Sequence, residues 1–167
     1  MDKITIERIK KAHPELRESL LVQYHEANNL LGVGVRLRFA YVYRTNAEQD
    51  ALYLKKPKVT NAKGGQSIHN YGLAFDIVLL IDKNKDGIFE EASWNTLKDY
   101  DGDKTADWME IVAYFKSKGW DWGGDWKSFK DAPHFEFNYG FTWRELKQMV
   151  DKKLTIKDEN GIIYPKL

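Results

Sequence analysis

The run LAFDIVLLI, residues 73–81, constrains this chain more than any other stretch. It is apolar at every position but one and rich in branched residues, so it reads as a strand covered on both faces. The exception is Asp76. A carboxylate in the middle of a buried strand costs several kcal/mol unless something pairs with it. His69 stands seven residues upstream, and Gly72 between them permits a sharp turn into the strand. That turn can bring the imidazole back over Asp76. Two arrangements answer the need. One is a plain His–Asp hydrogen bond, common in interiors without metal. The other is a divalent cation that takes the carboxylate and an imidazole nitrogen together.

The chain holds no cysteine. A disulfide scaffold and a thiolate nucleophile are excluded, and a zinc site must be built from His, Asp and Glu. Four histidines are available. His134 opens the alternating stretch HFEFNY, and Asp131 precedes it in the Pro-containing turn DAPH. Two histidines and one carboxylate leave one coordination position open, the pattern of a catalytic rather than a structural zinc. A second carboxylate beside the bound water can then act as general base. Asp131 suits that role by position; its alternative is a turn-forming aspartate before Pro133. His13 and His25 fall in the helical N-terminal segment and read as surface or cap residues.

The remaining elements surround this pair of motifs. Residues 5–32 read as helix, broken before Pro14, with Leu16, Leu20, Tyr24, Ala27 and Leu31 on one face. RLRFAYVY predicts a strand over 36–43. Thr45 followed by Glu48 is a capping box, so a helix starts there and Arg44 sits at a strand-to-helix corner. WMEIVAYFKSKG predicts an amphipathic helix ended by Gly119. TWRELKQMVDKK predicts a last helix, and the tail a short strand. These elements make a small α+β domain, a mainly antiparallel sheet flanked by helices. The expectation is a single domain over 1–167 with an acidic insert at about 82–107 and no separate binding domain.

Net charge is +1 and the pI is near 7.8, which gives no electrostatic case for gripping nucleic acid or an anionic membrane. The longest uncharged apolar stretch, IVLLI, is far too short to span a bilayer. The N-terminal residues lack the apolar core of a secretory signal. A monomer is expected.

The insert carries two stretches with calcium-loop spacing. In DKNKDGIFEEAS, Asp82, Asn84 and Asp86 occupy the first, third and fifth positions of an EF-hand-type loop, with Gly87 at the sixth. Ser93 stands where the closing glutamate belongs. In DYDGDKTADWME, Asp99, Asp101, Asp103, Asp107 and Glu110 fall at positions one, three, five, nine and twelve, with Lys104 in place of the glycine. At least one calcium, with the second stretch favoured by ligand count, is set against two plainer readings. The first stretch can be a polar hairpin turn, and Asp107 with Glu110 can form a capping box for the following helix.

These residues resemble a known family. SIHNYGLAFD is similar to the S-x-H-x-x-G-x-A-x-D motif of the D,D-peptidase-like zinc peptidases, which share a fold with the Hedgehog signalling domain. WGGDWKSFKDAPHFEF resembles the second motif of the branch that holds L-alanyl-D-glutamate endopeptidases of phage endolysins and bacterial wall lytic enzymes. YRTNAEQDALY resembles the family's arginine-bearing segment. The resemblance covers roughly residues 5–150. It implies zinc held by His69, Asp76 and His134, with Asp131 as acid/base and Arg44 facing the scissile carbonyl. It places Ser67 near the substrate. Trp120, Trp122, Trp126 and Phe129 flank the site in sequence and either wall a peptide groove, Trp126 foremost, or pack in the core. Glu136 and Asp125 are candidate orienters of the ligand histidines. The substrate implied is a peptidoglycan stem peptide, cut between L-Ala and D-Glu. A D,D-carboxypeptidase acting on terminal D-Ala-D-Ala and a non-catalytic metal-bearing module are the alternatives. Action on the cell wall without a signal peptide implies residence in a host cytoplasm before holin-type release, or export by another route.

Overall fold

The computed structural model describes residues 2–167. Two helices open the chain, α1 (Lys3–Ile9) and α2 (Pro14–Asn28). The corner between them is set by Pro14 in the first turn of α2 and by His13, whose Nδ1 accepts the Glu15 N–H as N-cap. Leu16, Leu20, Tyr24 and Ala27 form the buried face of α2.

The strand β1 (Val35–Tyr41) leads to α3 (Asn46–Tyr53), capped by the Thr45/Glu48 box that the sequence predicts. After a 3-10 turn at Ile68–Tyr71 comes β2 (Ala74–Ile81), the centre of the sheet. β1 pairs antiparallel along one edge of β2. The other edge is shared by two short strands, β3 (Glu91–Ser93) at its C-terminal end and β5 (His134–Glu136) at its N-terminal end. Between these two strands in sequence come α4 (Asp107–Ser117) and β4 (Asp121–Trp122), the latter pairing with the outer side of β5. The helix α5 (Trp143–Asp151) and a hairpin of β6 (Thr155–Lys157) and β7 (Ile163–Pro165) complete the chain. Among the described residues, no helix is long and apolar enough to cross a membrane.

Side chains alternate across a strand, and that alternation divides the sheet's two faces by chemistry. Phe39, Phe75 and Phe135 stack across β1, β2 and β5, with Phe39–Phe75 centroids 4.2 Å apart and Phe75–Phe135 centroids 5.2 Å apart. Phe115 of α4 and Trp120 pack edge-on against Phe75. Their neighbours in sequence, Asp76, His134 and Glu136, therefore belong to the opposite face. The apolar layer under α2 and α4 is the floor on which the polar groups stand.

Three expectations need correction. HFEFNY pairs only over His134–Glu136. The tail forms a whole hairpin rather than one strand, and Arg17 anchors it by pairing with Asp158 and Glu159. The N-cap of α4 is Ala106 with no side-chain cap bond, so Asp107 and Glu110 do not form the capping box.

Candidate active site

The Asp76 carboxylate has two partners at once. His69 Nε2 and His134 Nδ1 each lie 3.1 Å from Asp76 Oδ1, and 3.1 Å from one another. His69 reaches this point from the 3-10 turn, closed by Gly72 in the left-handed region at φ +68. A Cβ on Gly72 would also lie 2.6 Å from the His13 backbone nitrogen, so the turn needs glycine twice over. His134 arrives by strand pairing, directly opposite Asp76 in the register.

The outer nitrogens of both rings are committed. His69 Nδ1 lies 2.7 Å from the Val42 carbonyl oxygen, which only accepts, so Nδ1 carries the proton and Nε2 turns its lone pair inward. His134 Nε2 donates to Glu136 Oε2 at 2.9 Å, which turns Nδ1 inward. Glu136 thus orients a ring as the sequence predicts. Asp125 does not: it pairs with Lys116 on the surface.

Three acceptor atoms converging on one point require a positive charge among them. Burial opposes charge on His134, but hydrogen bonds to Asp76 and Glu136 outweigh it and push the imidazole up to about 9. Burial likewise opposes charge on Asp76, yet the two histidines hold its carboxyl far below the usual range. A divalent cation would take the place of the proton the triangle otherwise holds. Ligands about 2.0–2.1 Å from a tetrahedral zinc stand about 3.3 Å apart, so the triangle fits that ion with a small opening. His, His and Asp are also zinc's preferred donors once cysteine is absent.

Around this centre lies a cavity of about 720 Å³, and its walls include Arg44, Ser67, Trp126, Phe129 and Asp131. All five were singled out in the sequence. Trp126 stands over His134 with ring centroids 5.2 Å apart. Trp120, by contrast, is buried in the core, and Trp122 is tied by its indole N–H to the Ala132 carbonyl. Arg44 donates to Gln49 Oε1 at 2.8 Å and approaches Asp76 Oδ2 at 3.5 Å. Burial and the Asp76 charge raise the Asp131 pKa, against the pull of His134, His69 and Arg44.

Four supports escape a reading of the sequence. Gln49, buried and bonded to the Ala62 carbonyl, fixes Arg44. Asn70 ties the Arg44 carbonyl to the Gly65 and Ser67 amides. Val42 enters only through its carbonyl. Gly123 receives the Asp131 N–H at 3.0 Å, and a Cβ there would lie 2.4 Å from the Asp131 carbonyl oxygen. The WGGD stretch was a signal for the last.

In the insert, Asp82 accepts from the Gly87 and Asp86 amides, and Asp86 accepts from Ile88. Carboxylates of Asp99, Asp101, Asp103, Asp107 and Glu110 converge instead. Burial and then the neighbouring aspartates push Glu110 up to about 7; burial is the main cause that takes Asp107 to about 6.

Comparison with known proteins agrees with this geometry. A family model described as D-alanyl-D-alanine carboxypeptidase matches residues 60–137, a span that contains His69, Asp76, Asp131 and His134. The peptidoglycan L-alanyl-D-glutamate endopeptidase CwlK of Bacillus subtilis (strain 168) is 46% identical over 101 residues. Over these residues the chain resembles the D,D-peptidases and the L-alanyl-D-glutamate endopeptidases. The L-alanyl-D-glutamate peptidase of Listeria phage A118 is 33% identical over 95 residues. The two alignments take in 56% and 54% of this chain. They span 56% of the Bacillus relative and 29% of the phage relative, about half or less of their lengths. The crystal structure of Serratia marcescens L-Ala D-Glu endopeptidase ChiX shares the fold, with a TM-score of 0.52 and 22% identity over 83% of this chain and 90% of that one.

Proposed function

We propose that this chain is a zinc-dependent endopeptidase domain that acts on the cell wall and cuts peptidoglycan stem peptides at the L-Ala–D-Glu bond. The observation that carries the reading is the triangle of His69, Asp76 and His134 at the floor of an open groove. The relatives' names supply the bond. Residues 1–167 serve as one catalytic domain interrupted by the acidic insert.

His69, Asp76 and His134 would hold the ion. A bound zinc supplies Lewis acidity toward the scissile carbonyl and lowers the pKa of water. Asp131 takes the proton from the attacking water and returns it to the leaving amine. Its carboxylate lines the cavity beside the three ligands, where the attacking water would stand. Arg44 offers positive charge where the carbonyl oxygen becomes anionic. Gln49 holds its guanidinium in place beforehand. Trp126, Phe129 and Ser67 line the path of an extended peptide.

The description of the matching family model favours a second reading, a D,D-carboxypeptidase that removes terminal D-alanine. Chelation and zinc return on purified peptidoglycan test the metal reading. Solubilisation stops on chelation and resumes with one zinc per chain; full activity of metal-free protein would contradict it. Release of free D-alanine alone would support the carboxypeptidase.

A further inference from the structure

Asp107 is wholly buried in the first turn of α4, yet its Oδ1 has no hydrogen-bond partner. Glu110 Oε2, also in that first turn, is buried and equally unpartnered. A buried carboxylate oxygen without a donor is costly, and such groups in a native fold call for an explanation. The second oxygen of Asp107 is accounted for, because Oδ2 accepts the Tyr100 N–H at 2.7 Å.

The surroundings supply further negative charge. One carboxylate oxygen from each of Asp99, Asp101 and Asp107 lies within 4.8 Å of the others, and the same holds for Asp101, Asp103 and Glu110. Asp101 belongs to both groups, so the five acids form one cluster. Among the described residues, none of the five makes an ion pair.

We propose that Asp99, Asp101, Asp103, Asp107 and Glu110 bind one calcium ion. Oxygen donors alone, many of them and irregularly spread, suit calcium better than the smaller magnesium, which demands near-octahedral order and keeps its waters. The five acids stand at positions one, three, five, nine and twelve of a twelve-residue loop. Lys104, at the sixth position, adopts φ +81, the turn that glycine usually makes there. The preceding loop turns the same way at Gly87, φ +92, but its twelfth residue is Ser93, whose hydroxyl pairs with Tyr100. No carboxylate closes it.

The ion would act on the scaffold. Asp101 Oδ2 accepts the Gly32 N–H at 2.7 Å from the loop before β1. Asp107 leads directly into Trp108, Ile111 and Phe115, all buried in the core. A cation bridging these acids ties the insert, the β1 entry and α4 together. None of the five lines the catalytic groove, so this proposal stands apart from the proposed peptidase activity.

The test uses zinc-loaded, calcium-free protein titrated with calcium chloride by calorimetry, with melting followed in parallel. One calcium per chain binds, and at about one hundred times Kd the melting temperature rises by roughly 5–10 °C. Asp101→Asn with Asp103→Asn loses both signals, as does the exposed single change Asp103→Asn in large part. A flat titration of the unmodified protein with an unchanged melting temperature would overturn the proposal. So would a shift retained in the double variant, or an equal shift from magnesium at the same concentration.

Discussion

His69 Nε2 and His134 Nδ1 face each other at 3.1 Å, although 65 residues separate them in the chain. Neither nitrogen can satisfy the other without a positive charge between them, and Asp76 Oδ1 completes the demand. The outer hydrogen bonds to Val42 and Glu136 keep both rings turned inward.

Those outer bonds make Glu136→Gln informative. The carboxylate that holds His134 becomes an amide, while all three ligands remain. Zinc affinity falls by about 10–100-fold, the usual effect of losing such an orienting partner. Competition with a chromophoric chelator measures it. Unchanged affinity would mean that Glu136 does not orient the ring.

Asp131→Asn separates binding from chemistry. Zinc content stays at one per chain. Turnover on peptidoglycan drops by about 10²–10⁴, the contribution of a positioned acid/base. A variant with near-normal turnover would remove Asp131 from the mechanism.

Arg44→Lys keeps a charge but loses the planar fork that engages Gln49 and Asp76. The rate constant kcat falls by roughly 10²–10³, as when an oxyanion donor is removed. KM changes little. A rise in KM with kcat intact would assign Arg44 to ground-state binding instead.

His13 gives the fold a pH dependence. It is buried, its Nε2 donates to the Pro165 carbonyl at 2.8 Å, and Glu15, Arg17 and Tyr164 are its polar neighbours. Burial lowers its pKa below the ordinary 6.5. The unfolded chain therefore binds a proton first as pH falls, so the His13 contribution is complete above about 6.5 and is lost below it. His13→Asn keeps a helix cap but cannot titrate. The melting-temperature gap between the two proteins narrows from pH 7.5 to roughly pH 5. A gap that stays constant would contradict the assignment.

The parts of the site legible in the sequence are those fixed over short chain distances. His69 and Asp76 are joined through one glycine turn, and Asp131 and His134 through one proline turn, so residue type and spacing nearly determine their geometry. The strands β3 and β4 are too short to carry a periodic pattern and exist only through their partners on β2 and β5. Gln49 looks like any surface glutamine of α3 until the loop at Ala62 folds over it. Asp125 looks like an orienter from its place beside the second motif, but its side chain turns outward to Lys116. Asp107 looks like a helix cap from its spacing, and only the packing of Tyr100 and Trp108 shows that it is buried.

Digesting purified peptidoglycan with the zinc-loaded protein and identifying the new ends by mass spectrometry tests the bond assignment most directly. The expected fragments have stem peptides that begin with D-Glu, with L-Ala left on the glycan strand. Intact stems that have lost only a terminal D-alanine, or no new ends at all, would contradict it.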